Sequence, residues 1–326
     1  MSPKVSVVVP NYNHAPYLKT RIGSILEQTF QNFELILLDD CSPDGSADIL
    51  RSYADNPHVA CTDINTRNTG SPFAQWLKGI GRAKGEYVWL AESDDVASPH
   101  FLSVMSAVMD ACPKASVAFC GSVLIDRDGN TLPDDIDRWT TRYGTPIPPY
   151  HIFNGKRYVE RNLYWRNYIA NASSALFRRD CFLRSGAEVC GGMRYSGDWL
   201  FWVLMAAQGD VVEVYDKLNL FRQHGQKVTV KADTTGEGRV EDAEILACMD
   251  RMLPRMGVWK RRVRHGILYN KVRKLPVPGA DRQRLFRRLE ERLGTGRNDG
   301  RLAHLNHWLR LVWPWAPTMK RDRLLP

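Results

Sequence analysis

A chain of 326 residues with 44% hydrophobic and 25% charged residues holds enough apolar material for one large α/β domain plus an appendage, and this composition excludes disorder over most of the length. The formal net charge of +9 is uneven: residues 259–326 carry eighteen Lys and Arg against five Asp and Glu, whereas residues 1–258 carry 27 against 31. A basic segment on a mildly acidic body points to a polyanionic partner, either an anionic membrane surface or nucleic acid.

In chain order, Lys4 to Pro10 (KVSVVVP) is a β-branched run ended by proline, which predicts a buried strand. Leu18, Ile22, Ile25, Leu26 and Phe30 recur at helical spacing. Glu34 to Leu38 (ELILL) predicts a second buried strand that runs into the polar turn Asp39-Asp40-Cys41-Ser42-Pro43-Asp44-Gly45. Ser46 to Tyr53 reads as a helix and His58 to Thr62 as a third strand. Phe73, Leu77 and Ile80 mark another helix, closed by Lys84-Gly85 as a C-cap. Glu86 to Ala91 (EYVWLA) is a strand followed by Glu92-Ser93-Asp94-Asp95; a helix over 99–111 and a strand over Ser116 to Ile125 complete the first part. This alternation predicts an α/β fold with a mostly parallel sheet and flanking helices. Ligands of such sheets bind at the carboxyl ends of the strands, so both acidic turns are expected on one rim.

Residues 126–170, rich in Pro, Asp and aromatic residues, read as long loops. Asn171 to Arg178 predicts a strand, Asp198 to Gln208 an apolar helix, Val211 to Val214 and Leu218 to His224 two late strands, and 240–256 a helix. The tail after 259 alternates basic helices with turns and ends in HWLRLVWPWAP. The seven cysteines are odd in number and form no CxxC pair, which argues against a zinc site or disulfide framework and for a reducing cytoplasm. Val5 to Val9 is too short for a signal-peptide core, and no stretch approaches the roughly 20 apolar residues of a membrane span.

Three carboxylates within four residues at Glu92, Asp94 and Asp95 repel one another unless a cation offsets them. Hard oxygen ligands suit Mg2+ or Mn2+, and a diphosphate leaving group calls for such an ion. The plain alternative is a solvated loop that caps the helix beginning near Pro99. Asp39-Asp40 has a similar alternative as an Asx turn. Asp198, in YSGDW, begins a very apolar helix; it is either an N-cap or a general base whose pKa apolar neighbours raise. His224 is either a surface histidine or a phosphate donor or metal ligand.

Taken together and in order, these elements resemble the family-2 glycosyltransferases, inverting enzymes with a nucleotide-binding GT-A fold. The opening VSVVVPNYNHAPYLKTRIGSILEQTFQNFELILLDDCSPDGS is similar to that family's first βαβ unit, with DDCS where the family usually has DDGS. Asn68-Thr69-Gly70, a helix, and Lys84-Gly85-Glu86-Tyr87-Val88-Trp89 follow. ESDD represents the family's Asp-x-Asp signature, with Glu92 in place of its first aspartate. GDWLFW and FRQHGQKVT match the acidic motif that carries the base and a late histidine segment. The resemblance covers about 1–230; from 259 onward it finds no counterpart.

The resemblance implies that Asp40 accepts a hydrogen bond from the nucleotide base, that Pro10 and Tyr12 line its pocket, and that Asp39 supports the turn. It places Asp94 near the ribose and the metal, makes Asp95 a direct metal ligand, lets His224 contact metal or diphosphate, and makes Asp198 the catalytic base. The family's Ala-Arg-Asn segment is here Ala74-Gln75-Trp76, and Lys78 is the candidate for the missing cation. The implied activity is inverting transfer from a UDP- or dTDP-sugar to a hydroxyl acceptor, with Mn2+ or Mg2+, in bacterial surface polysaccharide or lipid-linked glycan synthesis. Residues 1–258 form the transferase in this reading, 1–125 on the donor side and 126–258 on the acceptor side. Residues 259–326 form a tail that attaches to the inner face of the cytoplasmic membrane; its alternative is a subdomain packing its tryptophans on the core. Among rivals, a sugar nucleotidyltransferase typically opens with a glycine-rich phosphate loop, where this chain has Asn11-Tyr12-Asn13-His14. An inactive nucleotide-sugar-binding homologue is the non-enzymatic rival. A nucleic-acid binder leaves the acidic rim unexplained.

Overall fold

The computed structural model describes residues 2–134, 136–137, 148–224, 235–313, 315–319 and 323–324. Strand β1 (Val5–Asn11) pairs in parallel with β2 (Phe33–Asp39) and β4 (Tyr87–Leu90), and β2 pairs in parallel with β3 (Val59–Ile64). Helices α1 (Ala15–Leu26), α2 (Ser46–Arg51) and α3 (Pro72–Arg82) make the crossovers between them. Beyond β4 the sheet becomes mixed. Strand β8 (Ala175–Arg178) lies antiparallel to both β4 and β6 (Ala115–Ile125), while β9 (Asp210–Arg222) runs parallel to β6. The short strands β5 (Val96–Ala97) and β7 (Tyr150–Phe153) pair antiparallel with β9. The order is β3-β2-β1-β4-β8-β6-β9-β5, with β7 also on β9. The two reversals at β8 cancel, so β6 and β9 point the same way as β1, β2 and β4. All five carboxyl ends therefore open on one rim.

Strand side chains alternate between two cores, as the period of two dictates. Val8, Ile36, Leu38, Val88 and Leu90 face one; Val5, Val7, Val9, Leu35, Leu37 and Trp89 face the other. The second core is covered by α1 and by α4 (Phe101–Ala111). The first is covered by α3, by α6 (Gly197–Ala206), which follows the short α5 (Arg179–Ser185), and by C-terminal helices. Gly79 of α3 lies so close to β1 that a Cβ would come within 2.2 Å of Val8.

Several local expectations are corrected. Gly85 is not a left-handed C-cap: α3 ends on Ala83 in extended conformation, and Gly85 instead permits close approach, since a Cβ would meet the Ser6 backbone at 2.6 Å. The two late strands are one. Irregular pairing of β6 with β9 around Gly121 absorbs the extra residues near polar Asp216-Lys217, which had read as a break. The region expected as loops between 126 and 170 contains β7 and helical turns over Gly155–Tyr158 and Val159–Leu163. Pairing in the 171–178 strand is confined to its second half, after a turn over Ala172–Ser174.

Among the described residues four helices follow: α7 (Glu237–Met252), α8 (Val258–Arg273), α9 (Gly279–Leu293) and α10 (Arg297–Leu309). Ion pairs join α9 to α7, Arg288 to Glu237 at 2.7 Å and Arg292 to Glu244 at 3.3 Å. Arg264 of α8 is buried, with its guanidinium 5.6 Å from the Trp199 ring centroid on α6. Asp250 accepts from Tyr164 at 2.8 Å and pairs with His265 at 2.8 Å. Helix α10 presses on α8 through small residues; a Cβ on Gly266 would lie 1.9 Å from the Asp299 carbonyl. No helix among the described residues is long and apolar enough to cross a membrane.

Candidate active site

The end of β2 shapes the first wall. Asp39 is buried and accepts from Asn11 Nδ2 at 2.6 Å, from Ser42 N–H at 2.8 Å and from Ser42 Oγ at 2.6 Å. Ser42 Oγ in turn accepts the Asn13 N–H at 2.8 Å, so one carboxylate ties the β1–α1 turn to the β2–α2 turn. Cys41 stands in left-handed conformation at φ 61°, where the family's glycine would be at ease. Asp40 is 3% exposed. Its oxygens accept from Asn65 Nδ2 (2.6 Å), Gln75 Nε2 (2.7 Å), Thr69 Oγ1 (2.8 Å) and Thr69 N–H (3.0 Å). These bonds tie the end of β2 to the segment that leads into α3 and to α3 itself. Pro10 is buried at the end of β1, and Tyr12 is half exposed beside it. Lys78 bonds Asp63 at 2.6 Å and Asn65, and joins the wall only through Asn65.

The acidic turn after β4 gives its carboxylates different surroundings. Glu92 reaches the Trp76 indole N–H at 2.7 Å; burial, then the charge of Asp94, push its pKa up to about 8. The two departures from the family pattern thus answer each other: the longer acid meets the indole of Trp76. Asp95 is 1% exposed and accepts from Asn171 Nδ2 (2.7 Å), Ser173 Oγ (2.7 Å) and Arg222 N–H (2.9 Å). Burial and then the Asp94 charge raise its pKa to about 6. Burial also works against ionising Asp94, but the His224 hydrogen bond and the His14 charge outweigh it and hold the carboxyl below its ordinary value.

His224 Nε2 lies 2.9 Å from Asp94 Oδ2. His14, from the turn after β1, lies with Nδ1 2.9 Å from Ser93 Oγ, and its ring is edge-on to His224 at 5.5 Å. One ligand atom from each of His14, Asp94 and His224 falls within 4.8 Å of the others. Burial lowers the His14 pKa, which favours the neutral imidazole that binds metals. Two imidazole nitrogens and a carboxylate oxygen fit Mn2+, whereas Mg2+ prefers oxygen alone. Asp95 stands behind this group, its oxygens committed to the protein. Of the late FRQHGQKVT segment, the residues after His224 lie outside the described ones.

Arg21 lies deeper, fully buried, its guanidinium 4.7 Å from the Trp89 ring centroid. None of its three guanidinium nitrogens has a hydrogen-bond partner among the described residues. Burial lowers its pKa to about 10, opposed by the charges of Asp95, Asp94 and Glu92. It is the internal counter-charge of the acidic turn, acting through space.

Asp198 is the second residue of α6; the N-cap position belongs to Ser196. Its carboxylate accepts from Asn167 Nδ2 at 2.8 Å, and burial pushes its pKa up to about 6. Phe201 and Trp202 of α6 pack on Trp76, at 5.6 and 6.3 Å between ring centroids, so the indole that holds Glu92 also contacts the helix of Asp198.

His14, Arg21, Gln75 and Trp76 had not been singled out for these contacts. His14 had a signal, since it follows a strand that ends on the same rim. Arg21 also had one: it is a charge in the buried stripe Leu18, Arg21, Ile22, Ile25 of α1.

The sequence profile described as Glycosyl transferase family 2 matches residues 6–184. A putative teichuronic acid biosynthesis glycosyltransferase of Bacillus subtilis, TuaG, is 34% identical over 133 residues, which are 40% of this chain and 51% of that protein. The matches span between 30% and 53% of the first curated relatives' own lengths. Among solved structures, Staphylococcus aureus TarS 1–349 in complex with UDP-GlcNAc superposes with a TM-score of 0.56 at 17% identity, covering 94% of this chain and 79% of that one. The mannosyltransferase PcManGT of Pyrobaculum calidifontis, in complex with GDP-Man and Mn2+, gives 0.52 at 18% identity, covering 98% and 84%. At such identities the superpositions speak for the fold, and the profile match over more than half of the chain speaks for descent: this protein belongs to glycosyltransferase family 2 and has a GT-A fold.

Proposed function

We propose that this chain transfers a sugar, with inversion, from a nucleoside-diphosphate donor, UDP- or dTDP-linked, to a hydroxyl of a saccharide or lipid-linked saccharide acceptor in bacterial surface polysaccharide synthesis. The observation that carries the proposal is the convergence of His14, Asp94 and His224, from three distant segments, at the carboxyl ends of the strands. Asp94, His224 and His14 would hold Mn2+, or Mg2+ less well; the ion supplies positive charge against which a diphosphate can leave. Asp198 takes the proton of the acceptor hydroxyl as that oxygen attacks the anomeric carbon. The anomeric C–O bond to the diphosphate breaks, and the nucleoside diphosphate departs with the electron pair. Asn167 orients the Asp198 carboxylate. Trp76 holds Glu92, and Asp95 stiffens the turn that presents Asp94.

Thermal melting with UDP, dTDP, GDP and CDP, each with Mn2+ or with EDTA, tests this. One nucleotide at a hundred times its Kd should stabilise the fold by about 2.7 kcal/mol. That rise should need Mn2+ and should vanish in Asp94→Asn. A folded protein that shifts with none of the four would overturn the proposal. His14→Ala should weaken Mn2+ binding, by calorimetry, about tenfold or more; unchanged affinity would remove His14 from the cation's ligands.

We also propose that the chain works at an anionic membrane surface. Helix α10 turns Gly300, Ala303 and Asn306 inward against α8 and leaves Arg297, Arg301, Leu305 and Trp308 on the opposite, exposed face. Trp308 is 59%, Val312 82% and Trp315 81% exposed, so these side chains do not pack on the core. Tryptophans beside arginines suit a bilayer interface. The full chain should co-float with vesicles containing phosphatidylglycerol and not with neutral ones. Trp308→Ala combined with Trp315→Ala should cut that partition about tenfold or more, from the apolar area withdrawn; equal flotation would end this part of the proposal.

A further inference from the structure

The loop that leads into α6 is held by a helix that lies beyond the region of family match. Glu241, on α7, sets its two carboxylate oxygens against three consecutive amides: Arg194 N–H at 2.7 Å, Tyr195 N–H at 2.8 Å and Ser196 N–H at 2.7 Å. Asp242 accepts from Ser196 Oγ at 3.0 Å and pairs with Arg239 at 3.0 Å. On the other side Ser71 Oγ donates to the Met193 carbonyl at 2.7 Å. Phe73 packs so tightly on Gly197 that a Cβ there would lie 2.5 Å from its ring. Hydrogen bonds from amides to an ionised acceptor are among the stronger ones in proteins. Three in succession fix the backbone of the segment that delivers Asp198 two residues later. The carboxylate also places negative charge beside the N-terminus of α6, at its N-cap Ser196, where such charge is favoured.

We infer that Glu241 is a positioning residue for Asp198, acting through the backbone of 194–196 and touching neither donor nor acceptor. Part of the C-terminal region thereby serves the reaction centre as its support. The inference rests on Asp198 being the base.

The test compares the full-length wild type with Glu241→Ala, Glu241→Gln and Glu244→Ala, the last removing an ion pair from the same helix without touching the loop. Glu241→Ala should lower kcat on the order of ten- to a hundredfold, as small displacements of a reacting group do. The donor KM and the nucleotide-dependent rise in Tm should stay at wild-type values, and the acid limb of the kcat profile should move from its wild-type position. Glu241→Gln, which keeps one acceptor oxygen, should fall between, and it carries the same readouts if the alanine variant does not fold. Glu244→Ala should turn over normally. A Glu241→Ala kcat within twofold of wild type, beside an inactive Asp198→Asn, would overturn this inference alone. A fall in kcat matched by Glu244→Ala, or accompanied by loss of the nucleotide shift, would also overturn it. Full turnover by Asp198→Asn would overturn the base assignment and this inference with it.

Discussion

Asp198→Asn should lower the transfer rate about a hundred- to ten-thousandfold, the usual worth of a general base, while the nucleotide-dependent rise in Tm remains. The amide preserves shape and the bond to Asn167 but takes no proton. The same carboxylate sets the pH dependence. Burial raises its pKa to about 6, and a base works only when ionised. Turnover should therefore fall about tenfold per unit below pH 6 and level off above it. The stability consequence has the opposite sense. A carboxyl whose folded-state value lies above its unfolded one costs stability as pH rises from the ordinary carboxylate range through about 6. Replacing it with the neutral amide should leave Tm at neutral pH equal to or above that of the wild type. A variant with normal turnover would remove Asp198 from this role, and one that melts well below wild type would overturn the raised pKa.

Arg21→Met should destabilise the protein by about 3–5 kcal/mol, the cost of leaving buried charge without its partner. The methionine fills similar volume beside Trp89, so a cavity does not account for the loss. What goes is a fully buried cation whose charge opposes those of Asp95, Asp94 and Glu92. Two further measurements separate charge from packing. The loss should shrink as pH falls through about 6, because Asp95, whose pKa the Arg21 charge holds down, is then neutral. Mn2+ should raise the Tm of Arg21→Met more than that of the wild type, since a bound cation supplies the missing charge. Wild-type stability in Arg21→Met would show that the guanidinium, stacked on Trp89 without a hydrogen bond, costs as much as it returns.

The membrane and metal predictions depend on surface groups and single ligands, and their effects are correspondingly smaller. Together with the two above they address separate parts of the molecule: the turn after β4, the start of α6, and the exposed face of α10.

The amino-acid sequence by itself determined the strand–helix alternation of residues 1–125, because β-branched runs such as Val5 to Val9 and helical stripes such as Leu18, Ile22 and Ile25 are local, periodic signals. It also determined that the turns at Asp39-Asp40 and at Glu92 to Asp95 share a rim, because parallel strands leave their carboxyl ends on one side. The family was legible too, from the order of its motifs. Only the tertiary structure decided which side chains meet. His14 joins Asp94 because β1 pairs with β4, and His224 joins them because β5, directly after the acidic turn, pairs antiparallel with the end of β9, a closure that no local pattern encodes. It likewise decided that Asp95 turns inward to Asn171 and Ser173, that Trp76 answers Glu92, and that Glu241 reaches back to the loop before Asp198. Each is a hydrogen bond whose partners lie between 16 and 78 residues apart, and in the sequence alone each side chain had an equally good local explanation as a cap, a turn or a solvated charge.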